Sequence, residues 1–383
     1  SACRISASYS ILRESMKKLK WARIESTPVL VFDSLGIDYL KESIPSGARY
    51  EVLSFRDHFP VTGRPNFLWR WMKVVMGLKV SLSQAYMIAL MDSYQPQVVL
   101  SFADQNQLLG LYQRYRDEVL VISVQNAVRH PHEFLRGVQA PHYFALGGDA
   151  CRSFDRHQIP YKRCFASGSL PLGIFCSRNS ITKCPGKLVF VSSYRRGFDH
   201  TNRDQAVDEY SSAQGRAHSL VFKNALRYAE ESNMDLTVIA KGKVRYEGEY
   251  LAEEKAYFER LAGENEFTLS STVKDTFNSY HHALTAEFVI GLDSTLLYEA
   301  FSVGARVLFC WGADQYLLEN ARSLTEHLPK PVLLESSNYA EFFGKVNFAR
   351  DLTDQAYKSM IARGQSEYVN SAQRYPVHEQ LKH

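Results

Sequence analysis

Short apolar runs alternate with helical patterns along most of this chain, and that alternation limits the folds open to it. In the first half the runs lie within residues 29–32, 50–56, 98–105, 119–126, 142–148 and 163–169. In the second half they lie at 188–192, 235–240, 267–271, 288–290, 307–310 and 332–336. Strands that alternate with helices form parallel sheets covered by helices on both faces. The sequence therefore predicts an α/β protein built from doubly wound, Rossmann-like units.

The two groups of strands indicate two domains, which suits a chain of 383 residues. A polar segment with Pro and Gly, residues 177–187, separates them and is the predicted linker. We expect an N-terminal Rossmann-like domain over 1–180 and a C-terminal one over 187–350. Residues 338–375 have the pattern of two helices. Residues 351–383 are expected to form a helical segment that crosses back to the first domain.

The composition limits the cellular environments and the binding partners that we expect for this protein. The net charge of +4 suits anionic ligands or a membrane surface but is too small to indicate nucleic acid. No run of about 18 uncharged apolar residues is present, which argues against a membrane span. The first twenty residues lack the apolar core of a signal peptide. The six cysteines form no CxxC pair, so we expect free thiols in a reducing cytoplasm.

Polar and basic residues follow the predicted strands of the second half. Because the carboxyl ends of parallel strands meet at one edge, these residues should converge. Positive side chains beside a helix N-terminus form a phosphate site. The alternative is that Asp293 or Ser294 merely caps the helix. Glu299 lies further along that helix and could accept from both ribose hydroxyls, or it could simply face solvent. The phosphate-site candidates are Ser193, Arg195, Arg196, Lys241, Lys243, Asp293, Ser294 and Thr295.

Five segments, spread in order over both halves, resemble a known family. The pattern of GLDSTLLYEA resembles the donor-nucleotide segment of GT-B glycosyltransferases, and UDP-N-acetylglucosamine 2-epimerases share a related pattern. As a set, the segments resemble bacterial surface-carbohydrate biosynthesis proteins of the GT-B type. The resemblance implies two Rossmann-like domains facing across a cleft, with the acceptor on the first and the nucleotide sugar on the second. The segments are SFADQNQLL (101–109), ISVQNAVR (122–129), ASGSL (166–170), VSSYRR (191–196) and GLDSTLLYEA (291–300).

On this interpretation the first half carries the reacting groups. A sugar hydroxyl that attacks needs a base or an oriented hydrogen-bond acceptor. Asp104 is the first candidate because it directly follows an apolar strand; Asp33 and Glu133 are its rivals, and His130 comes next. Each carboxylate could instead be a loop residue or a helix cap. Gln125, Asn126 and Arg129 could bind sugar hydroxyls. No cluster has the pattern of a metal site, and we expect neither a metal nor another cofactor.

The stretch 67–91 interleaves Trp69, Trp71 and Met72 with Arg70, Lys73 and Lys79. It could be an interfacial helix that touches anionic lipid near a lipid-linked acceptor. The interpretation we favour at this point is a helix that packs on the first sheet while its lysines reach out to water.

The sequence thus predicts a metal-independent glycosyltransferase for surface polysaccharide, either lipopolysaccharide or capsule. Its donor would be a UDP-, CMP-, GDP- or dTDP-linked sugar, and its acceptor a glycan or a lipid-linked glycan. We expect it in the cytoplasm, where peripheral contact with the inner face of the membrane would fit a lipid-linked acceptor. The alternatives are a nucleotide-sugar epimerase or hydrolase on the same fold and a non-catalytic glycan- or nucleotide-binding protein.

Overall fold

The computed structural model describes two α/β units that share a C-terminal helical segment. Each unit is built around a sheet of parallel strands. No helix in the described part of the chain is long and apolar enough to cross a membrane. The described residues are 19–21, 24–55, 59–62, 65–104, 106–129, 141–196, 198, 209–241, 247–271, 277–371 and 377–381.

The first unit contains a six-stranded sheet in the order β3-β2-β5-β6-β7-β8, in which every described neighbour is parallel. A separate parallel pair joins β1 to β4. The strands are β1 (Leu19–Trp21), β2 (Val29–Phe32), β3 (Tyr50–Leu53), β4 (Phe59–Val61), β5 (Val98–Ser101), β6 (Leu120–Val124), β7 (His142–Ala145) and β8 (Arg163–Ala166). The helices are α1 (Ile37–Leu40), α2 (Pro65–Gly77), α3 (Leu82–Ser93), α4 (Gln107–Tyr115), α5 (Gly148–Arg156) and α6 (Leu170–Arg178).

The second unit contains a five-stranded parallel sheet in the order β11-β10-β9-β12-β13. The strands are β9 (Cys184–Val191), β10 (Asp235–Ile239), β11 (Thr268–Ser270), β12 (Ala286–Gly291) and β13 (Val307–Phe309). The helices are α7 (Glu209–Glu231), α8 (Glu247–Ala262), α9 (Asn278–Thr285), α10 (Thr295–Ser302), α11 (Gln315–Asn320), α12 (Arg322–Thr325), α13 (Tyr339–Asp351) and α14 (Asp354–Tyr368). The short C-terminal helix α15 (Val377–Gln380) packs instead against α6 of the first unit.

Apolar strands explain why both sheets are covered. In β2 and β5 the second and third residues are buried, so each strand presents apolar side chains to both faces. In β9 and β12 the run extends over four consecutive buried positions. A strand that is apolar on both sides needs helices above and below it. The alternation predicted from the sequence is therefore confirmed for these strands.

The stretch 67–92 forms two helices with a break between them. The first ends at Gly77, and the second begins after Ser81, whose hydroxyl accepts from the backbone N–H of Gln84. The Gln84 side chain in turn accepts from the Ser81 backbone N–H, which completes a capping box. These local signals are enough to end one helix and begin the next.

The predicted strand at 332–336 is wrong. Residues Lys330–Val332 form a 3₁₀ turn, and pairing with β13 is limited to one bridge between Phe309 and Leu333. Pro331 lies inside this turn; it fixes its own φ and has no N–H to donate to a neighbouring strand. The predicted linker is also shorter than expected, because β9 already begins at Cys184.

The expectation that all cysteines are free is wrong for two of them. Cys151 in α5 and Cys164 in β8 form a disulfide, with their Cα atoms 5.6 Å apart. Thirteen positions separate them in the sequence, a spacing with no motif of its own. The pair comes together because α5 returns the chain from β7 to the neighbouring strand β8. Cys176, Cys184 and Cys310 are free.

The C-terminal segment contacts the first unit as well as the second. Helix α14 packs against α5, and Arg152 forms an ion pair with Glu367. Beyond the helix, Asn370 donates its backbone N–H to Leu146 at 2.7 Å and its side-chain amide to Ala166 at 2.8 Å. Gly168 has a φ of 97°, and a Cβ atom there would lie 2.2 Å from the Asn370 carbonyl oxygen. The C-terminal segment therefore requires a glycine at this point.

Replacing Gly168 by Ala should destabilise the protein more than the same change at Gly186. Gly186 also has a positive φ, 77°, but open space where a Cβ would stand. Gly186→Ala should cost about 1–2 kcal/mol for backbone strain alone. Gly168→Ala adds a collision with backbone, so we expect about 1–3 kcal/mol more in urea unfolding. Equal losses for the two variants would show that the C-terminal segment does not sit tightly against residue 168.

Candidate functional site

A hydrogen bond joins the carboxyl edges of the two sheets. The backbone N–H of Val128, in the loop after β6, donates to the hydroxyl of Thr295 at 3.0 Å. Thr295 is the first residue of α10, which directly follows the strand–turn at the end of β12. A loop from one sheet therefore touches the helix N-terminus of the other, as expected where a ligand cleft lies between two doubly wound units.

The turn before α10 is fixed by its own side chains. Ser294 is the N-cap of the helix, and its hydroxyl accepts from the backbone N–H of Leu296 at 3.3 Å. The capping interpretation is thus confirmed for Ser294. Asp293 does not cap the helix; its two carboxylate oxygens accept from the Ser193 hydroxyl and from the Gln214 amide. Asp293 thereby joins the end of β12 to the end of β9 and to α7.

A buried histidine fixes the loop after β9. The backbone N–H of Ser193 donates to Nε2 of His218 at 3.1 Å, so Nδ1 carries the ring proton and faces the Tyr257 hydroxyl at 3.0 Å. Burial, with a smaller contribution from Lys241, lowers the pKa of His218 to about 3. The ring is therefore neutral at physiological pH and acts as a fixed hydrogen-bond acceptor.

The predicted basic residues divide into different environments. Arg196 pairs with Glu253 and Glu249, and its guanidinium lies 5.8 Å from the ring centre of Tyr250. Arg195 is exposed, and its side chain makes no ion pair with any described residue. Arg195 is thus the more accessible of the two for an anionic ligand.

Lys241 lies at the end of β10, where its backbone N–H donates to the buried carboxylate of Glu254 at 2.9 Å. The same oxygen of Glu254 accepts from the Ser192 hydroxyl at 2.5 Å. Glu254 therefore holds the ends of β9 and β10 together. Lys243 lies outside the described residues.

Glu299 is buried and faces the first unit. Its carboxyl oxygen Oε1 accepts from Ser169, the N-cap residue of α6, and from the Tyr280 hydroxyl at 2.9 Å. Burial raises the pKa of Glu299 to about 7, although both hydrogen bonds act in the opposite direction. The alternative of a solvent-facing residue is wrong, since only 5% of Glu299 is exposed. Its contact with ribose stays a prediction.

Asp104 is the centre of a buried polar cluster in the first unit. Arg129 donates to both of its oxygens, and the Tyr143 hydroxyl donates to Oδ2 at 2.6 Å. Asn126 accepts from the same guanidinium at 2.7 Å and donates to the Phe102 carbonyl at 2.8 Å. Burial, and then the Asp104 charge, raise the pKa of Tyr143 well above its usual value. The cluster holds Arg129 one residue away from the contact between the two units.

Gln125 braces the same loop rather than projecting from it. Its amide donates to the Ala127 carbonyl at 2.7 Å, and its oxygen accepts from the backbone N–H of Leu146 at 2.9 Å. The Gln125 side chain thus bonds to backbone groups through both its amide N–H and its amide oxygen. Binding of a sugar by Gln125 stays a prediction.

Asp33 differs from the other carboxylates because its backbone is in the left-handed region. It directly follows β2, has a φ of 74° and is 7% exposed. Its Oδ1 accepts from the backbone N–H of Leu35 at 3.0 Å. Non-glycine residues in this conformation are uncommon, and when they occur at strand ends they often mark functional sites. The rivals Glu133 and His130 lie outside the described residues.

Several residues that contact the predicted site residues were not predicted from the sequence. Gln214 and His218 were detectable, because they stand one turn apart on a helix face otherwise made of small or apolar residues such as Ala217 and Val221. Ser169 and Tyr280 gave no local signal. Each is an ordinary residue in its own segment, and only the packing of the two units brings both to Glu299.

One group of metal-ligand side chains does assemble, away from the strand ends. The ligand atoms of Asp149, Glu326 and His327 lie within 4.8 Å of one another. The Arg152 guanidinium is 3.7 Å from Asp149 and already supplies positive charge there. This group joins α5 to the end of α12, and we interpret it as an ion-pair cluster between the two units.

Comparisons with known proteins identify the fold. A family model described as "putative O-antigen biosynthesis protein" matches residues 159–321, less than half of the chain. No curated protein matches in sequence. Among solved structures, the wall teichoic acid polymerase TagF matches at 12% identity, over 91% of this chain and 86% of that chain, with a TM-score of 0.50. UDP-GlcNAc 2-epimerase from Neisseria meningitidis matches at 10% identity, over 90% and 96%, with a TM-score of 0.52.

These structures are related to the chain at the level of the fold. The fold is GT-B: two parallel α/β units whose carboxyl strand ends face each other. The predicted fold class is therefore confirmed. The resemblance to surface-carbohydrate proteins of the GT-B type is likewise supported by the family model, which spans β9 to β13 and the N-terminus of α10.

The raised pKa of Glu299 predicts a specific pH dependence of stability. The native state keeps its proton up to about pH 7, whereas the unfolded chain releases it near the usual value of 4.5. The unfolded state therefore binds fewer protons in that interval, and stability falls as pH rises through it. Glu299→Gln keeps the accepting oxygen without the charge. Its stability relative to wild type should improve by about 3 kcal/mol between pH 4.5 and 7.5.

The measurement is urea unfolding of both proteins across that interval. Glu264→Gln is the matched control: this carboxyl is exposed in the turn after α8, so its removal should leave the profile unchanged. A constant difference between wild type and Glu299→Gln would mean that Glu299 is not buried at this interface.

Proposed function

We propose that this protein is a glycosyltransferase that moves a sugar from a nucleotide-sugar donor to a glycan or lipid-linked acceptor in bacterial surface polysaccharide synthesis. The observation that carries the proposal is the contact between Val128 and Thr295. It joins a polar loop of the first sheet to a helix N-terminus of the second, where the two halves of a donor–acceptor site must meet. The GT-B fold and the O-antigen family model support it.

The second unit would bind the nucleotide. The N-terminus of α10 carries the positive end of the helix dipole, which favours phosphate. The hydroxyls of Ser294 and Thr295 stand at that turn, and Arg195 is an accessible cation at the neighbouring strand end. Glu299 would accept from the ribose after Ser169 moves away from it. Donor binding would then require some separation of the two units.

The first unit would bind and activate the acceptor. An acceptor hydroxyl attacks the anomeric carbon of the donor sugar, the bond to the nucleotide phosphate breaks, and the hydroxyl proton passes to a base. We assign the base to Asp33, which directly follows β2 and has a left-handed backbone. Asp104 holds Arg129 through its ion pair, so we assign it a positioning role. The helix dipole and Arg195 would stabilise the leaving phosphate, a scheme that requires no metal.

Arg195→Gln should weaken nucleotide binding, whereas Arg196→Gln should not. A lost charge-assisted hydrogen bond corresponds to about a tenfold to hundredfold rise in Kd. Arg196 is already paired with Glu253, so its removal should change the Kd about twofold or less. A thermal-shift panel of UDP-, CMP-, GDP- and dTDP-linked sugars first identifies the donor, because a ligand of the native state raises Tm. Kd values for both variants then follow by titration calorimetry.

Two results would contradict the nucleotide site. If none of these donors raises Tm at millimolar concentration, the protein does not bind a nucleotide sugar of these classes. If Arg196→Gln weakens binding and Arg195→Gln does not, the phosphates lie on the side of α8 rather than in the cleft.

Asp33→Asn should abolish most transfer while leaving donor affinity intact. Loss of a general base lowers kcat by about a hundredfold or more. Asparagine tolerates the left-handed backbone, so the substitution should preserve the fold. Asp38→Asn is the matched control, since Asp38 is exposed on α1 and pairs only with Lys41 among the described residues. The rate of sugar transfer is measured with the donor found above, with and without a divalent-metal chelator.

A comparison of Asp33→Asn with Asp104→Asn distinguishes the general base from a residue that only positions Arg129. Asp104→Asn removes the partner of a buried arginine, so it should lower both the rate and the free energy of unfolding. Near wild-type transfer by Asp33→Asn would move the base to Glu133 or His130. Conversion of the donor sugar without any acceptor would instead identify an epimerase, the activity named for the Neisseria meningitidis neighbour.

A further inference from the structure

Helix α2 has two apolar faces, and the described part of the protein covers one of them. On the inner face, Phe67 and Val74 are buried in the core of the first unit. Trp71 lies beside them; its indole N–H donates to the Leu82 carbonyl at 3.2 Å and its ring packs edge-on against Tyr86. This face accounts for the attachment of α2 to α3. Through these residues α2 packs on its own unit, with α3 as its main neighbour.

The outer face of α2 consists of Leu68, Trp69, Met72, Val75 and Met76. Their exposed fractions are 55%, 54%, 49%, 37% and 73%. At 100° per residue, these positions cover an arc of about 120° opposite the buried residues. None of the five belongs to a hydrophobic cluster formed by the described residues. Five adjacent apolar side chains on one helix mark an interaction surface rather than ordinary surface scatter.

The charges around the outer face are positive. Lys73 lies on the same helix, 5.3 Å from the ring centre of Trp69, and Lys79 is exposed just beyond the helix end. Residues 59–91 contain no Asp or Glu at all. The first carboxylate after this stretch, Asp92, is buried and paired with Arg70 and Arg116. Within residues 59–91, a partner of this face therefore meets apolar side chains and cations and no carboxylate.

We propose that the outer face of α2 docks on the surface of an anionic lipid bilayer. Apolar and Trp side chains on one side of a helix, with lysines at its border, are typical of helices that lie in the membrane interface. A second copy of the chain is disfavoured, because it would bring Lys73 and Lys79 of both copies together. The proposal goes beyond sugar transfer and holds for any activity of the cleft.

Vesicle co-sedimentation tests the proposal without donor or acceptor. Wild-type protein should partition at least tenfold more strongly onto vesicles of phosphatidylcholine with about 30% phosphatidylglycerol than onto pure phosphatidylcholine, and added salt should reduce the difference. The variant Trp69→Ser/Met72→Ser/Met76→Ser should lose at least tenfold in partitioning. Its control is Ile181→Ser/Phe348→Ser, which removes exposed apolar side chains elsewhere and should bind as wild type does.

A second variant keeps the test independent of folding effects. Lys73→Gln/Lys79→Gln leaves the apolar side chains in place and should lower partitioning onto the anionic vesicles about tenfold. Equal binding of wild type to neutral and anionic vesicles would overturn the charge argument. Absence of vesicle binding would overturn the proposal, as would concentration-dependent dimerisation that the triple-serine variant abolishes. Each of these results leaves the nucleotide titrations of the cleft unaffected, so the two proposals fail separately.

Discussion

Parallel pairing within both sheets is the constraint on which the rest of this structure depends. Parallel strands cannot be joined by tight hairpins, so each crossover adds a helix and every strand points the same way. The polar residues that follow the strands are thereby gathered at one edge of each sheet. Asp33, Asp104 and Asn126 lie along one edge, and Ser193 and Asp293 along the other. The contact between Val128 and Thr295 shows that these edges face each other.

Polar contacts fix how the two units sit against each other. Ser169 and Glu299 join α6 to α10, Arg152 and Glu367 join α5 to α14, and the C-terminal chain pairs through Asn370. Hydrogen bonds and ion pairs are directional, so they specify one arrangement more strictly than apolar packing does. Glu299 is close to its pKa at neutral pH, which makes this interface sensitive to the charge of one buried carboxyl. A ligand that reaches Glu299 must compete with Ser169 for it.

Most of the described polar side chains near the strand ends form hydrogen bonds or ion pairs with other groups of the protein. Gln125, Asn126 and Asp293 brace the loops on which they stand, and Asp104 holds Arg129. Such bracing keeps the loops in fixed positions, which is what a site for a reaction between two substrates requires. Among the described residues, the groups that we propose for ligands are the N-terminal turn of α10, the exposed Arg195, and Asp33 with its unusual backbone. Among the described residues, the outer face of α2 is a further surface that the fold leaves exposed.

The sequence by itself determined most of the strands and helices of the two sheets and which residues stand at the strand ends. Those features are local: an apolar run such as 29–32, a capping Ser81 or a glycine stop acts over a few positions. What the tertiary structure decided was the partner of each polar group. The residues next to Asp104 in the sequence do not indicate that Arg129 pairs with it, and those next to Glu299 do not indicate Ser169. In the same way, nothing near Cys151 in the sequence predicts its disulfide with Cys164. The strand predicted at 332–336 was wrong for a related reason. Strand pairing needs two segments, and here the turn that contains Pro331 leaves a single bridge to β13. The fold brings together chain segments that are far apart in the sequence, and these segments form the environment of each side chain. A short-range sequence pattern does not encode such contacts.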